Sequence, residues 1–271
     1  MDLPLWLEDL TWIEAKTRFD AGDVLILPIG AAAKEHGPHL PLRTDATTAR
    51  AYAERLARRA REAGLPALIA PLVPFGYYPA FTRYAGSQHL SAATFSALLR
   101  ELAEGFIAQG AHRLMLLNTG VSTEAPINTL LGEIHGATGV RVVAAHLRFL
   151  GRAADRWIEV REGGHADERE TSVMLAIDGR AVRMDRLPDA AANAERGMAG
   201  AALPAGFARP VRLSPDAMVG DGDELAPTGA TGDATRATAY KGERVIDAVV
   251  EDLLAGLLKA FGPTPHDGVT A

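Results

Sequence analysis

The stretch KEHGPHLPLRTD, residues 34–45, brings Glu35, His36, His39 and Asp45 into one short segment. Carboxylates and imidazoles at that density can hold a divalent ion such as zinc or manganese. The plainer alternative is a polar loop. Asp45 is a good N-cap for a following helix, and an isolated His or Asp in a loop is more often structural than a ligand. A second cluster, GGHADERETSVMLAID over 163–178, sets His165, Asp167, Glu168 and Glu170 at the first turn of an expected helix. Capping and the helix macrodipole account for acids there. They do not account for His165 behind Gly163 and Gly164, two residues that allow backbone or ligand to come close.

Such residues need elements to position them. DVLILPIG (23–30) is an apolar run closed by glycine and reads as a buried strand. Residues 45–64 are alanine-rich at helical spacing and stop at a glycine, so they read as a helix. PALIAPLVPFG (66–76) reads as a second strand, leading into the aromatic loop YYPAFTRYAGSQH. Ser91 caps the helix AATFSALLRELAEGFIAQG. HRLMLLNTG (112–120) is a third strand, APINTLLGEIHGATG a helix, and VRVVAAHL (140–147) a fourth strand. Strands alternating with helices imply an α/β fold with a mainly parallel sheet covered on both faces. Ligands gather at the carboxyl ends of such strands, where GAAAKEHGPH, FGYYPAF and NTGVSTE fall. Residues from about 185 to 230 are rich in Gly, Ala and Pro with little periodicity, a long excursion over the site or a flap. GERVIDAVVEDLLAGLLKAF (242–261) is an amphipathic helix. We expect one domain over 1–262 and a disordered tail over 263–271.

Composition excludes whole classes of function. Hydrophobic residues make up 48% and charged residues 23% of the 271, the balance of a globular protein. The net charge is −6 and no dense basic stretch is present, so nucleic acid is not an expected partner. The chain has no cysteine, so a metal must sit on His, Asp and Glu. With no apolar run of membrane-spanning length and no leader pattern, the expectation is a cytoplasmic enzyme with no membrane partner.

These motifs resemble the creatininase family of metal-dependent amidohydrolases. LPIG…EHGPHLPLRTD is similar to the family's first signature, and GGHADERETSVML to its HAG–x–x–ETS segment. YAGSQHLSAATF matches its Pro-Gly-Thr segment, and ATGDATRATAYKGERVIDAVVEDLL resembles its closing Gly-Asp-Pro…Ala-Thr…Lys-Gly helix. The resemblance implies a three-layer α/β/α sandwich, usually in ring-like homo-oligomers such as a hexamer. It also implies one or two ions of zinc or manganese, with iron a third candidate. The implied reaction is metal-assisted hydrolysis of a C–N bond in a small polar or cyclic amide. On this pattern Glu35, His36 and Asp45 hold metal, His165 carries the proton, Glu170 orients it or completes the shell, and Ser87 helps hold substrate. The alternative is a catalytically silent homologue that uses the pocket for binding or the ring for assembly.

Two departures bear on the metal. The family reads Glu–x–His, whereas Lys34 stands two before His36 and the acid is the adjacent Glu35. Neighbours in an extended strand face opposite ways. The expectation is therefore a bulge after Gly30 that turns Glu35 inward and Lys34 away. The family also places a histidine ligand after the third strand, where this chain has Gly120. His89, Glu124, His39, Asp167 and Glu168 are candidates to complete the coordination.

Overall fold

The computed structural model describes residues 4–160, 163–188 and 228–262. Most of the 185–230 excursion and the tail expected at 263–271 lie outside them. Four strands, β1 (Val24–Ile29), β2 (Ala67–Ile69), β3 (Leu114–Asn118) and β4 (Val143–His146), form a parallel sheet in the order β2-β1-β3-β4. Each expected strand is present. The second is shorter than its apolar run, because Pro71 and Pro74 supply no N–H for a ladder and only Val73 rejoins β1, as an isolated bridge to Ile29.

β1 is buried along its whole length, which fits a central strand with both faces covered. Val24 and Ile26 point into one apolar layer, with Met115 and Leu117 of β3. That layer is closed by α2 (Thr44–Glu62), α5 (Glu168–Asp178) and α6 (Ala239–Phe261). Leu25, Leu27 and Ile29 point into the other layer. It is closed by α3 (Ala92–Ala108) and α4 (Glu124–Thr138), with Phe19 of α1 (Trp12–Asp20) at its margin. The result is the three-layer α/β/α sandwich. Ser91 caps α3 as expected, accepting from the Thr94 amide at 3.1 Å.

Two further strands, β5 (Gly163–His165) and β6 (Thr231–Gly232), pair antiparallel outside the main sheet. The pairing brings the chain at Gly229 back against the carboxylate of Glu35, where an added Cβ would lie 2.0 Å from Oε1. No helix among the described residues is long and apolar enough to cross a membrane.

Candidate active site

The segment after β1 does not continue as a bulged strand. Ala32 N donates to Pro74 O at 2.9 Å and Lys34 N to Leu42 O at 3.0 Å, so the chain leaves the sheet and folds across its own return path. Ser87 pins it further, its Oγ accepting from Glu35 N at 2.9 Å. In this irregular backbone the alternation rule no longer applies. Lys34 and Glu35 both turn inward, each 6% exposed, which corrects the expectation that Lys34 points away.

Asp45 is not the N-cap of α2, because Arg43 takes that position. It lies in the first turn, the second residue of the helix, 3% exposed, with its two oxygens facing different partners. Oδ2 pairs with Lys34 Nζ at 2.7 Å, and Oδ1 sits 3.0 Å from His36 Nε2. Burial pushes the Asp45 carboxyl up, but the Lys34 charge and His36 outweigh it and hold it well below the usual range.

His36 is fully buried. Its Nδ1 lies 2.9 Å from the Lys34 carbonyl, which can only accept, so Nδ1–H donates. In a neutral imidazole that leaves Nε2 with a lone pair facing Asp45 Oδ1. Two acceptors at 3.0 Å repel unless a proton or a metal ion lies between them. A third acceptor approaches the same nitrogen: Glu170 Oε1, 3.9 Å away. The other Glu170 oxygen accepts from Ala166 N at 2.6 Å, so Oε1 is the one left to the cleft. Ala166 holds this amide in place at φ +52°, a left-handed conformation rare for a residue with a Cβ.

His165 completes the group. Its Nε2–H donates to Glu35 Oε2 at 3.0 Å, which leaves Nδ1 facing Glu170 Oε2 at 3.9 Å. Burial disfavours the imidazolium, but the Glu35 hydrogen bond and the charge of Glu170 offset it and raise the pKa of His165 above its ordinary value. Glu35 is the complement. Burial pushes it up, while His165 and the Gly37 amide bring it below the ordinary carboxylate value. His36, His165 and Glu170 each offer a ligand atom within 4.8 Å of the others. Phe81 walls the cleft, its ring centroid 4.7 Å from that of His165.

The remaining candidates have other partners. His39 Nε2 lies 2.9 Å from Thr171 Oγ1 behind the cluster. Asp167 caps α5, accepting from Glu170 N and Gly164 N, each at 2.9 Å. Glu168 accepts from Glu159 N and Val160 N and pairs with Lys241 of α6, so it ties elements together. Glu124 pairs with Arg148 at 2.8 Å, and His89 sits by Tyr77. Gly120 leaves no room for a donor. A Cβ there would meet Thr123 Oγ1 at 2.7 Å and the Tyr78 ring at 2.9 Å. What sequence reasoning missed is the strand pair β5–β6, which fixes His165 through Thr231 and roofs Glu35 with Gly229. A two-residue strand leaves no periodic signal.

The family model for creatininase, described as creatinine amidohydrolase, matches residues 8–257. A mycofactocin precursor peptide peptidase of Mycobacterium tuberculosis (strain ATCC 25618 / H37Rv) is 32% identical over 253 residues, covering 91% of this chain and 88% of its own. A creatinine amidohydrolase of Pseudomonas putida is 28% identical over 285 residues, covering 97% of this chain and all of its own. The solved structure "Creatininase Mn" superposes with a TM-score of 0.77 at 24% identity, over 96% of this chain and 100% of that one. At that identity the likeness speaks for the fold. The family match runs through the sheet, both helix layers and every residue of the cluster, and the chain belongs to the creatininase family.

Proposed function

We propose that the chain is a metal-dependent amidohydrolase that cleaves a C–N bond in an amide. The observation that carries the reading is the meeting of His36 Nε2 and Asp45 Oδ1 at 3.0 Å, with Glu170 Oε1 3.9 Å from the same nitrogen. One imidazole nitrogen and two carboxylate oxygens turned to one point make a donor set that fits a divalent ion such as zinc or manganese. Relatives named for zinc and manganese support those metals. His36, Asp45 and Glu170 would hold the ion. Once bound, it supplies Lewis-acid polarisation of a carbonyl and acidifies water.

The protein's own groups do the rest. Glu35 holds the His165 ring by Nε2, so Nδ1 is the nitrogen that takes a proton from the attacking water and returns it to the leaving amine. Glu170 stabilises the imidazolium that forms. Ser87 acts by fixing the backbone of Glu35, and Phe81 excludes water on one side. Relatives called creatinine amidohydrolase and peptide peptidase support an amide as the target, either a small cyclic one or a peptide bond. The exposed side chains of Phe75, Val121 and Phe149, following β2, β3 and β4, support a homo-oligomer that covers them. A monomeric mass by light scattering at micromolar concentration would count against that. The absence of cysteine fits a cytoplasmic setting.

A second reading, a catalytically silent homologue that only binds, is favoured by the ammonium of Lys34 on Asp45. The deciding experiment measures bound metal together with hydrolysis of creatinine, other cyclic amides and short peptides. The amidohydrolase reading expects turnover of one class that chelator removes and zinc or manganese restores. Protein that holds no ion and cleaves nothing is the silent homologue.

A further inference from the structure

The Lys34 ammonium lies in the site and is built into it. Lys34 is 6% exposed, and its Nζ is 2.7 Å from Asp45 Oδ2. It stands 5.3 Å from the ring centroid of Tyr78 and 4.9 Å from that of Phe81, so two aromatic faces contribute to its cage. The same Tyr78 ring fills the space that a side chain at position 120 would need. One wall of the cleft therefore offers an ammonium and a ring, whose buried hydroxyl has no hydrogen-bond partner among the described residues.

Asp45 thus serves two cationic positions. Oδ1 faces the acceptor cluster of His36, and Oδ2 faces Lys34. A carboxylate with one oxygen turned to each of two cationic centres is the arrangement by which two-metal sites hold a pair of ions. Here one of those positions is filled by the chain itself. We propose that Lys34 is an internal replacement for a second metal ion, so that this chain binds one divalent ion per subunit. The inference rests on the metal reading above and narrows it.

The replacement has two consequences. A lysine charge on a buried stem is neither lost by chelation nor exchanged, so one of the two cationic positions of the site is independent of metal supply. The ammonium also repels the ion that shares Asp45, so the remaining site is weaker than the same donors would make without it.

The test is metal stoichiometry, by elemental analysis after equilibration with excess Zn²⁺ or Mn²⁺ and gel filtration, with circular dichroism to verify folding. Wild type should hold one ion per chain. Lys34→Glu, which replaces the ammonium by a carboxylate, should hold two. Should that variant fail to fold, Lys34→Gln removes the charge at similar length and should bind Zn²⁺ at least tenfold more tightly than wild type. Two ions in wild type overturn the inference, as does a folded Lys34→Glu with only one. If Lys34→Glu does not fold, an unchanged affinity in Lys34→Gln also overturns it. All these results leave the amidohydrolase reading standing. A wild type that holds no ion overturns both.

Discussion

Glu35 Oε2 accepts a hydrogen bond of 3.0 Å from His165 Nε2 across 130 positions of sequence. The acid expected to bind metal meets an imidazole here, with Gly37 N on its other oxygen. This is the pairing that fixes which nitrogen of a catalytic histidine faces the reaction. Glu35→Gln keeps the shape but can offer its amide N–H₂ to Nε2 and select the other tautomer. Activity on a cleaved amide should fall by as much as about 10⁴-fold, the cost of holding a proton-carrying imidazole in the wrong tautomer. Metal content should stay unchanged, and loss of the ion would show that Glu35 is a ligand after all.

The assigned donors predict a division among single variants. His36→Ala and Glu170→Ala should lose the bound ion, measured by elemental analysis. His165→Ala should keep it and lose turnover by about 10²–10⁴-fold, the range for a positioned proton carrier. An ion lost with His165 would move that residue into the coordination shell.

His39 predicts a pH dependence of stability. Burial holds its pKa at about 4, below the ordinary 6.5, although the charges of Glu170 and Glu35 act against this. The unfolded chain therefore takes up this proton first as pH falls. Stability from this group is fully present above about 6.5 and is lost as pH falls from there towards about 4. The loss amounts to roughly 3 kcal/mol over that window at 1.36 kcal/mol per unit. Chemical denaturation at pH 7 and pH 5 should show a smaller difference for His39→Gln than for wild type. An equal difference would remove His39 from the account.

Two glycines of α6 predict opposite signs for the same substitution. Gly242 lies against α5, where an added Cβ would fall 1.9 Å from the Ser172 carbonyl oxygen. Gly242→Ala should cost about 1–3 kcal/mol through forced helix separation, despite its better helix propensity. Gly256 has nothing within 4 Å of such a Cβ. Gly256→Ala should stabilise by about 0.5–1 kcal/mol. Thermal midpoints moving the same way in both variants would contradict this packing.

The sheet and its helices were legible because each signal was local. VLILPI is apolar throughout since β1 is covered on both faces, and Ser91 announces α3 by its own side chain. Even the short α1 carries a local sign, the Thr11–Glu14 capping box. The site was legible as a set of residues and not as a set of partners. Glu35, His36, Asp45, His165 and Glu170 do converge, but who faces whom depends on the irregular path of 30–36, held by Pro74, Leu42 and Ser87. Strand alternation had no purchase on that path, which is why Lys34 was assigned to the wrong side. The role of Gly120 likewise depends on where Tyr78 lands, a tertiary fact with no mark in the sequence around either residue.

The antiparallel pair β5–β6 sets an order of events in folding. Thr231 Oγ1 receives the His165 amide at 3.1 Å across 66 positions, while β1 meets β2 across a single helix and β3 across 89 positions. The β5–β6 closure differs from either of these in chain entropy by less than the roughly 0.6 kcal/mol of one doubling in length, so the difference lies in what each gains, two register positions for β5–β6 against five for β1–β3. The sandwich can therefore condense before the roof over Glu35 is in place. In refolding, far-ultraviolet dichroism would recover first and catalytic competence would follow as a separate, slower phase. The last contacts to form are the ones that fix His165.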